Sequence, residues 1–146
     1  IIADLLRKVL SRHGQGHPYL LQLFDTYHVL TTELAGHFMK EEKVVFPFIK
    51  ALVQAKKTGD REVLNSQPSL TEPVQMMEAD HDAAGDLVLQ IRRITNDYTP
   101  PEGACNSFQL LYKKLEDLET DLHQHIHLEN NILFTKALEI EKSLRC

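Results

Sequence analysis

Two pairs of residues in this sequence have the types and spacing to do chemistry. His37 and Glu41 stand four apart, and so do His125 and Glu129. Residues four apart on an α-helix share a face, so each pair presents an imidazole and a carboxylate together. Which face they occupy decides what they can do. With His125 as zero and a step of about 100° per residue, Leu111, Leu115, Leu118, Leu122, Ile132 and Leu133 fall between roughly −20° and +80°. His125 lies at the edge of this apolar arc, and Glu129, at about +40°, is near its centre. His123 and His127 fall at about 160° and −160°, on the polar side, and read as solvated histidines. Counted from His37, Leu23, Leu30, Leu34, Phe48 and Leu52 fall at about +20° to +60° and Glu41 at about +40°. Glu42 then lies on the rim and His28 on the far side.

An unpaired charge in an apolar stripe is costly. Each pair is therefore either a buried His–Glu hydrogen bond without metal or part of a metal site. A single His-x-x-x-Glu arises easily by chance. Two copies, each followed by an apolar run ending in Phe (Val44-Val45-Phe46 and Ile132-Leu133-Phe134), carry more weight.

The elements that must position these residues are helical. The first is the tail of a helix to about residue 12, with Ile2, Leu6, Val9 and Leu10 on one face and His13 continuing it. His13 suits either a helix C-terminus, where its charge meets the dipole, or an inward-facing ligand. Gly14, Gly16 and Pro18 then break the chain. A second helix is predicted over about residues 18–56, kinked at Pro47. About residues 57–70 form a polar linker. A third helix runs over about residues 71–97, with Pro73 early and Val74, Met77, His81, Ala84, Gly85 and Val88 on one face. Gly85 allows either close helix packing or room for a small ligand. Residues 98–103 read as a turn, and Cys105 reads as a small packed hydrophobe. The fourth helix spans about residues 108–142.

The predicted architecture is thus an all-α antiparallel four-helix bundle forming one domain over residues 1–146. In such bundles metal sites are built from side chains on facing helices. His13, His37, Glu41, His81, His125 and Glu129 converge there. Two carboxylates with several imidazoles suit two metal ions, the glutamates bridging and the imidazoles terminal. Nitrogen and oxygen ligation without thiolate favours iron over structural zinc, and manganese shares the ligand preference.

Composition narrows the alternatives. A net charge of −5 with no basic stripe argues against nucleic acid. No apolar run reaches transmembrane length. Two cysteines make no disulfide framework and point to a reducing compartment. The chain opens on Ile1 without an initiator Met or signal-peptide pattern, so it reads as the C-terminal part of something longer.

Taken together, these stretches resemble the hemerythrin-like domain of the iron–sulfur cluster repair di-iron proteins (the ScdA/YtfE/DnrN group). The matching segments are Arg12-His13-Gly14 with His17-Pro18, His37-Phe38-Met39-Lys40-Glu41-Glu42 through Phe46-Pro47, and Met77-Glu78-Ala79-Asp80-His81-Asp82 with Gly85. They continue in Thr99-Pro100-Pro101-Glu102-Gly103-Ala104-Cys105 and His125-Ile126-His127-Leu128-Glu129-Asn130-Asn131-Ile132-Leu133-Phe134. The resemblance implies a four-helix bundle around an oxo- or hydroxo-bridged non-haem di-iron centre, in a cytoplasmic protein of nitrosative and oxidative stress. By motif position His37, His81 and His125 are terminal ligands, Glu41 and Glu129 bridges, and His13 matches a further family His. The family carries one more ligand His about twenty residues before His13, and a short N-terminal domain with a Cys pair. Neither falls within this sequence, so in a chain starting at Ile1 the first helix is expected to be truncated, and the chain to self-associate and to hold fewer than two metals. The implied function is repair of damaged iron–sulfur proteins by supplying iron, with nitric oxide reduction as an enzymatic side role. The alternatives are a hemerythrin-type binder or sensor of oxygen or nitric oxide, and a metal-free helical interaction module.

Overall fold

A computed structural model describes residues 1–146, and it is all-α. Its seven helices are, in chain order, α1 Ile2–His13, α2 Tyr19–Lys40, α3 Phe46–Thr58, α4 Glu62–Ser66, α5 Thr71–Ile94, α6 Asn106–Leu128 and α7 Phe134–Arg145. Two π-helical turns, Glu41–Val45 and Glu129–Leu133, join α2 to α3 and α6 to α7. No helix is long and apolar enough to cross a membrane. The chain forms two compact units, Ile1–Glu33 with Ala83–Gln124 and Leu34–Asp82 with His125–Cys146.

The first unit takes α1, the first part of α2, the second part of α5 and most of α6. Its core keeps to the helical period: Leu6 and Val9 from α1, Leu20, Leu23 and Leu30 from α2, Val88 and Ile91 from α5, Phe108, Leu111 and Leu115 from α6 are all buried. Burying a side chain of this size contributes about 1.5–3 kcal/mol. One buried carboxylate, Glu119, enters this core and is met by Arg92, whose Nε donates to Oε1 at 3.0 Å while Nη2 reaches Oε2. The same guanidinium pairs with Asp97 and lies over the Tyr98 ring at 5.2 Å. It thereby anchors an unusual turn. Asn96, Asp97 and Tyr98 all have positive φ, at 50°, 57° and 59°, and left-handed backbone costs about 1–2 kcal/mol per non-glycine residue. The Tyr98 amide donates to Thr95 Oγ1 at 3.1 Å, closing the turn from the other side. Periodicity predicts helix to about residue 97; the left-handed run ends it at Ile94. Gly103, at φ +78°, is the one residue of the next turn that needs glycine.

The second unit holds the rest. Val45, Phe48 and Leu52 pack with Leu70, Val74 and Met77 and with Phe134 and Ala137. The polar segment before α5 contains the short helix α4, where composition predicts only a linker. Its start is held by Asp60, whose Oδ1 accepts from the Glu62 amide at 2.9 Å. The start of α5 is capped from another helix: buried Glu141 on α7 accepts from the Leu70 amide at 2.7 Å and from Ser69 Oγ at 2.9 Å.

The π-turns change the phase of the helices beyond them. In each, the amide of the Phe that begins the next helix bonds five residues back, Phe46 to the Glu41 carbonyl and Phe134 to that of Glu129. One residue is absorbed, which rotates everything downstream by about 100° relative to an unbroken helix. Ile132, expected in the apolar arc, is therefore 42% exposed, and Phe134 is fully buried in its place. The irregularity expected from Pro47 lies in the turn before it, where a proline removes a hydrogen bond and crowds the carbonyl four residues back. That turn is Glu41–Val45, and Pro47 itself sits in the first turn of α3. The second π-turn has no proline near it, so proline is not the common cause. Both turns begin at the glutamate of a His-x-x-x-Glu pair.

Candidate metal centre

Three stretches of the second unit meet at one place. The last turn of α2 brings His37, and the π-turn after it starts with Glu41. Helix α5 brings His81. The last turn of α6 brings His125, and its π-turn starts with Glu129. One ligand atom from each of these five residues lies within 4.8 Å of every other. A π-turn widens the helix at the glutamate and turns its carboxylate out of the regular row, and such turns recur at functional sites.

His37 Nε2 is 2.8 Å from Glu41 Oε1 and 3.1 Å from His81 Nε2. His81 Nε2 is 3.4 Å from Glu129 Oε1. His125 Nε2 abuts Glu129 Oε1 and stands 3.8 Å from Glu41 Oε1. His37, Glu41, His81 and Glu129 are buried, while the His125 side chain is 39% exposed. His123, His127 and His28 are exposed.

The outward nitrogens of two imidazoles are committed elsewhere. His37 Nδ1 donates to Asp80 Oδ2 at 3.1 Å, and the same oxygen accepts from Lys40 Nζ at 3.2 Å. His81 Nδ1 donates to Asn130 Oδ1 at 2.8 Å. With the Nδ1 protons engaged, the two Nε2 atoms face each other across 3.1 Å. Two lone pairs at that distance repel unless a proton or a metal ion lies against them. The carboxylates make the same demand. Glu41 Oε1, both oxygens of Glu129 and His125 Nε2 are buried without a hydrogen-bond partner of good geometry. Unsatisfied buried polar atoms are rare and each costs about 1–3 kcal/mol. A plain His–Glu hydrogen-bonded network would not leave four of them converging. The donor set fits metal ions held by imidazole nitrogen and carboxylate oxygen.

The protonation energetics reflect the same concentration of acceptors. Burial pulls the His37 pKa down, but the nearby carboxylates of Glu129, Glu41 and Asp80 outweigh that and raise it to about 10. Burial together with the neighbouring Glu129 pushes the Glu41 carboxyl up. Burial also acts to raise Glu129, yet its histidine contacts hold it well below the usual carboxylate range. One carboxyl raised and its neighbour lowered is how two like charges share a site. A proton and a metal ion compete for the same Nε2 lone pair.

His13 is not in this group. It ends α1, in the first unit, with Nε2 3.3 Å from Cys105 Sγ and its ring 5.5 Å from that of Phe108. At Gly85 an added Cβ would meet no neighbouring atom, so close packing does not account for that glycine. A hollow of about 620 Å³ in the second unit, beside Lys43, Pro47, Ala51 and Val63, includes none of the five clustered residues.

Sequence reasoning missed Asp80, Asn130 and Lys40. Asp80 and Asn130 flank His81 and Glu129 directly, but their partners are 43 and 49 residues away. The usable signal was general: a ligating His nearly always donates its second nitrogen to a carboxylate or carbonyl, so acids and amides beside a candidate ligand merit inspection.

The family model for the hemerythrin HHE cation binding domain matches residues 1–137. Among curated proteins, the iron–sulfur cluster repair protein YtfE of Yersinia pseudotuberculosis serotype IB (strain PB1/+) is 36% identical over 137 residues, covering 94% of this chain and 56% of the relative. That of Y. pseudotuberculosis serotype O:1b (strain IP 31758) is 40% identical over the same shares, and that of Yersinia pestis 36%. The chain thus spans about half the length of the curated relatives it matches, 56% in each case.

Proposed function

The chain belongs to the hemerythrin HHE cation-binding domain family, and we propose that it is a non-haem di-iron protein that supplies iron to iron–sulfur clusters damaged by nitrosative or oxidative stress. In this reading residues 1–146 act as one metal-binding domain, His37, His81 and His125 are terminal ligands, and Glu41 and Glu129 bridge two ions. His13 is left out of the set because its Nε2 faces Cys105. The recipients are damaged iron–sulfur proteins in the cytoplasm, and oxygen or nitric oxide are the small molecules that would reach the centre.

The observation that carries this reading is the convergence of buried ligating atoms: His37 and His81 Nε2 at 3.1 Å, with the partnerless oxygens of Glu41 and Glu129 beside them. The relatives' role as iron–sulfur cluster repair proteins supports the choice of repair over oxygen or nitric oxide binding. When bound, iron would supply redox-active Lewis acidity and be itself the delivered species. The protein's part is to hold the His37 and His81 imidazoles in one tautomer, place the two carboxylates beside them and exclude bulk water from all ligands except His125.

The test is metal analysis and a visible spectrum on anaerobically purified protein, followed by incubation with an apo iron–sulfur protein. Stoichiometric iron, and rebuilding of the recipient's cluster, is the expected result. Reversible oxygen binding without iron loss would identify a hemerythrin-type carrier or sensor instead. No stoichiometric metal would leave only a helical interaction module.

A further inference from the structure

A second pair of reactive side chains lies in the first unit, outside the five clustered residues. Its composition and spacing present Cys105 as a small packed hydrophobe, yet the sulfur meets a polar partner. Cys105 Sγ is 3.3 Å from His13 Nε2, and both residues are half-buried. The thiol is the only side-chain hydrogen-bond partner of His13, and no carboxylate pairs with that ring. We propose that His13 and Cys105 form a reactive thiol site, in which His13 takes the thiol proton and a small hydroperoxide oxidises the sulfur to a sulfenic acid. The proposal stands independently of what the metal centre holds.

Two helix ends favour that proton transfer. His13 is the last residue of α1, at the far end of that helix from Ile1. Cys105 directly precedes α6, and its carbonyl accepts from the Gln109 amide at 3.0 Å, which makes it the residue that opens the helix. The end of a helix favours a cation and the start an anion. An imidazolium ending α1 beside a thiolate opening α6 therefore meets both dipoles with the right sign. The first turn of α6 carries no acidic residue to oppose charge on the sulfur. The thiolate is the nucleophilic form of cysteine, and a neighbouring protonated His or a helix N-terminus promotes it. Phe108, buried in that first turn, backs the imidazole: its ring is 5.5 Å from the His13 ring.

The chemistry balances. Sγ gives its proton to Nε2 and attacks one oxygen of the peroxide. An S–O bond forms as the O–O bond breaks, and the bonding pair leaves with the other oxygen. That oxygen takes the proton from Nε2 and departs as water or an alcohol. Sulfur is oxidised, the peroxide is reduced, and the product is a sulfenic acid, which thiols can reduce again. The half-burial of both residues favours a small oxidant over a bulky disulfide.

Cys146 supplies the internal control, being a free thiol that is exposed and has no side-chain partner. The whole chain, as purified, is treated near neutral pH with hydrogen peroxide in the presence of dimedone, which traps sulfenic acids. The adduct at each cysteine is timed by peptide mass spectrometry. Cys105 should react at least about tenfold faster than Cys146, the low end of what a positioned base supplies. His13→Gln keeps a polar side chain but no base, and should abolish that advantage. Cys105→Ser should remove the adduct altogether. His13 lies outside the clustered ligands, so oxidation arising at a bound metal would strike the parent and His13→Gln alike. Circular dichroism checks that His13→Gln is folded; should it unfold, the ratio of Cys105 to Cys146 in the parent still decides. Cys105 reacting no faster than Cys146 would overturn the proposal. So would an unchanged Cys105 rate in folded His13→Gln. Either result would leave a structural thiol–imidazole hydrogen bond.

Discussion

Replacing Glu141 with alanine should lower the melting temperature of the metal-free protein by about 10 °C. Glu141 lies on α7, outside the clustered His and Glu residues, yet it decides how α5 begins. Its carboxylate accepts from the Leu70 amide at 2.7 Å and from Ser69 Oγ at 2.9 Å, with Arg145 Nη2 at 3.3 Å on the outer side. Leu70 is completely buried, so its amide cannot turn to water once the carboxylate is gone. A hydrogen bond to an ionised group is worth about 1.5–3 kcal/mol, and a stranded buried donor costs about 1–3 kcal/mol. The negative charge also sits at the positive end of α5, worth about 0.3–1 kcal/mol. These overlap, and a total near 3 kcal/mol is a fair estimate. A chain of this size shifts by about 2–4 °C per kcal/mol, which gives the 10 °C. Glu141→Gln keeps a carbonyl oxygen for one of the two donors and should lose about half as much. The assay is thermal unfolding monitored by far-ultraviolet circular dichroism on chelator-treated protein. A melting point for Glu141→Ala within about 2 °C of the parent would refute the reasoning, since it would mean that the Leu70 amide finds another acceptor. Because α5 carries both Asp80 and His81, the same variant should also bind metal more weakly while folded.

The remaining predictions concern the centre itself. His125→Ala should lower metal content, and His123→Ala and His127→Ala should not, because both of the latter side chains are exposed; equal loss in all three would sink the assignment of faces. Glu41→Ala and Glu129→Ala should each disturb the spectrum of both ions, and loss of one iron with the other's spectrum unchanged would show that the carboxylate was terminal. Metal at a free concentration about 100 times its Kd should stabilise the fold by about 2.7 kcal/mol, and a melting curve unmoved by saturating Fe(II) or Co(II) would count against a site that forms only in the folded state. Arg92→Ala should release the left-handed turn Asn96–Tyr98, raising amide exchange there; unchanged protection would show that Thr95 alone holds it.

Much of the centre was legible in one dimension. An α-helix repeats every 3.6 residues, so counting angles is enough to place His37, Glu41, His125 and Glu129 in apolar stripes and His123 and His127 outside them. Those inward polar residues are costly unless they share a partner, which left a buried His–Glu hydrogen bond or a metal site. The angular count then failed where its assumption failed. It treats every residue as an equal step, and the π-turns at Glu41–Val45 and Glu129–Leu133 take one residue out of step. That is why Ile132 is exposed and Phe134 buried. Periodicity could not say what faces a ligand from another helix either. Asp80 on His37 and Asn130 on His81 are contacts between residues more than forty positions apart, made only once the helices are packed. His13 shares the apolar face of α1, as its spacing implied, but the face it meets carries Cys105 and Phe108. The sequence by itself determined which side chains turn inward, because helical periodicity is local. Only the tertiary structure decided what they meet there, because pairing across helices depends on packing that no local period encodes.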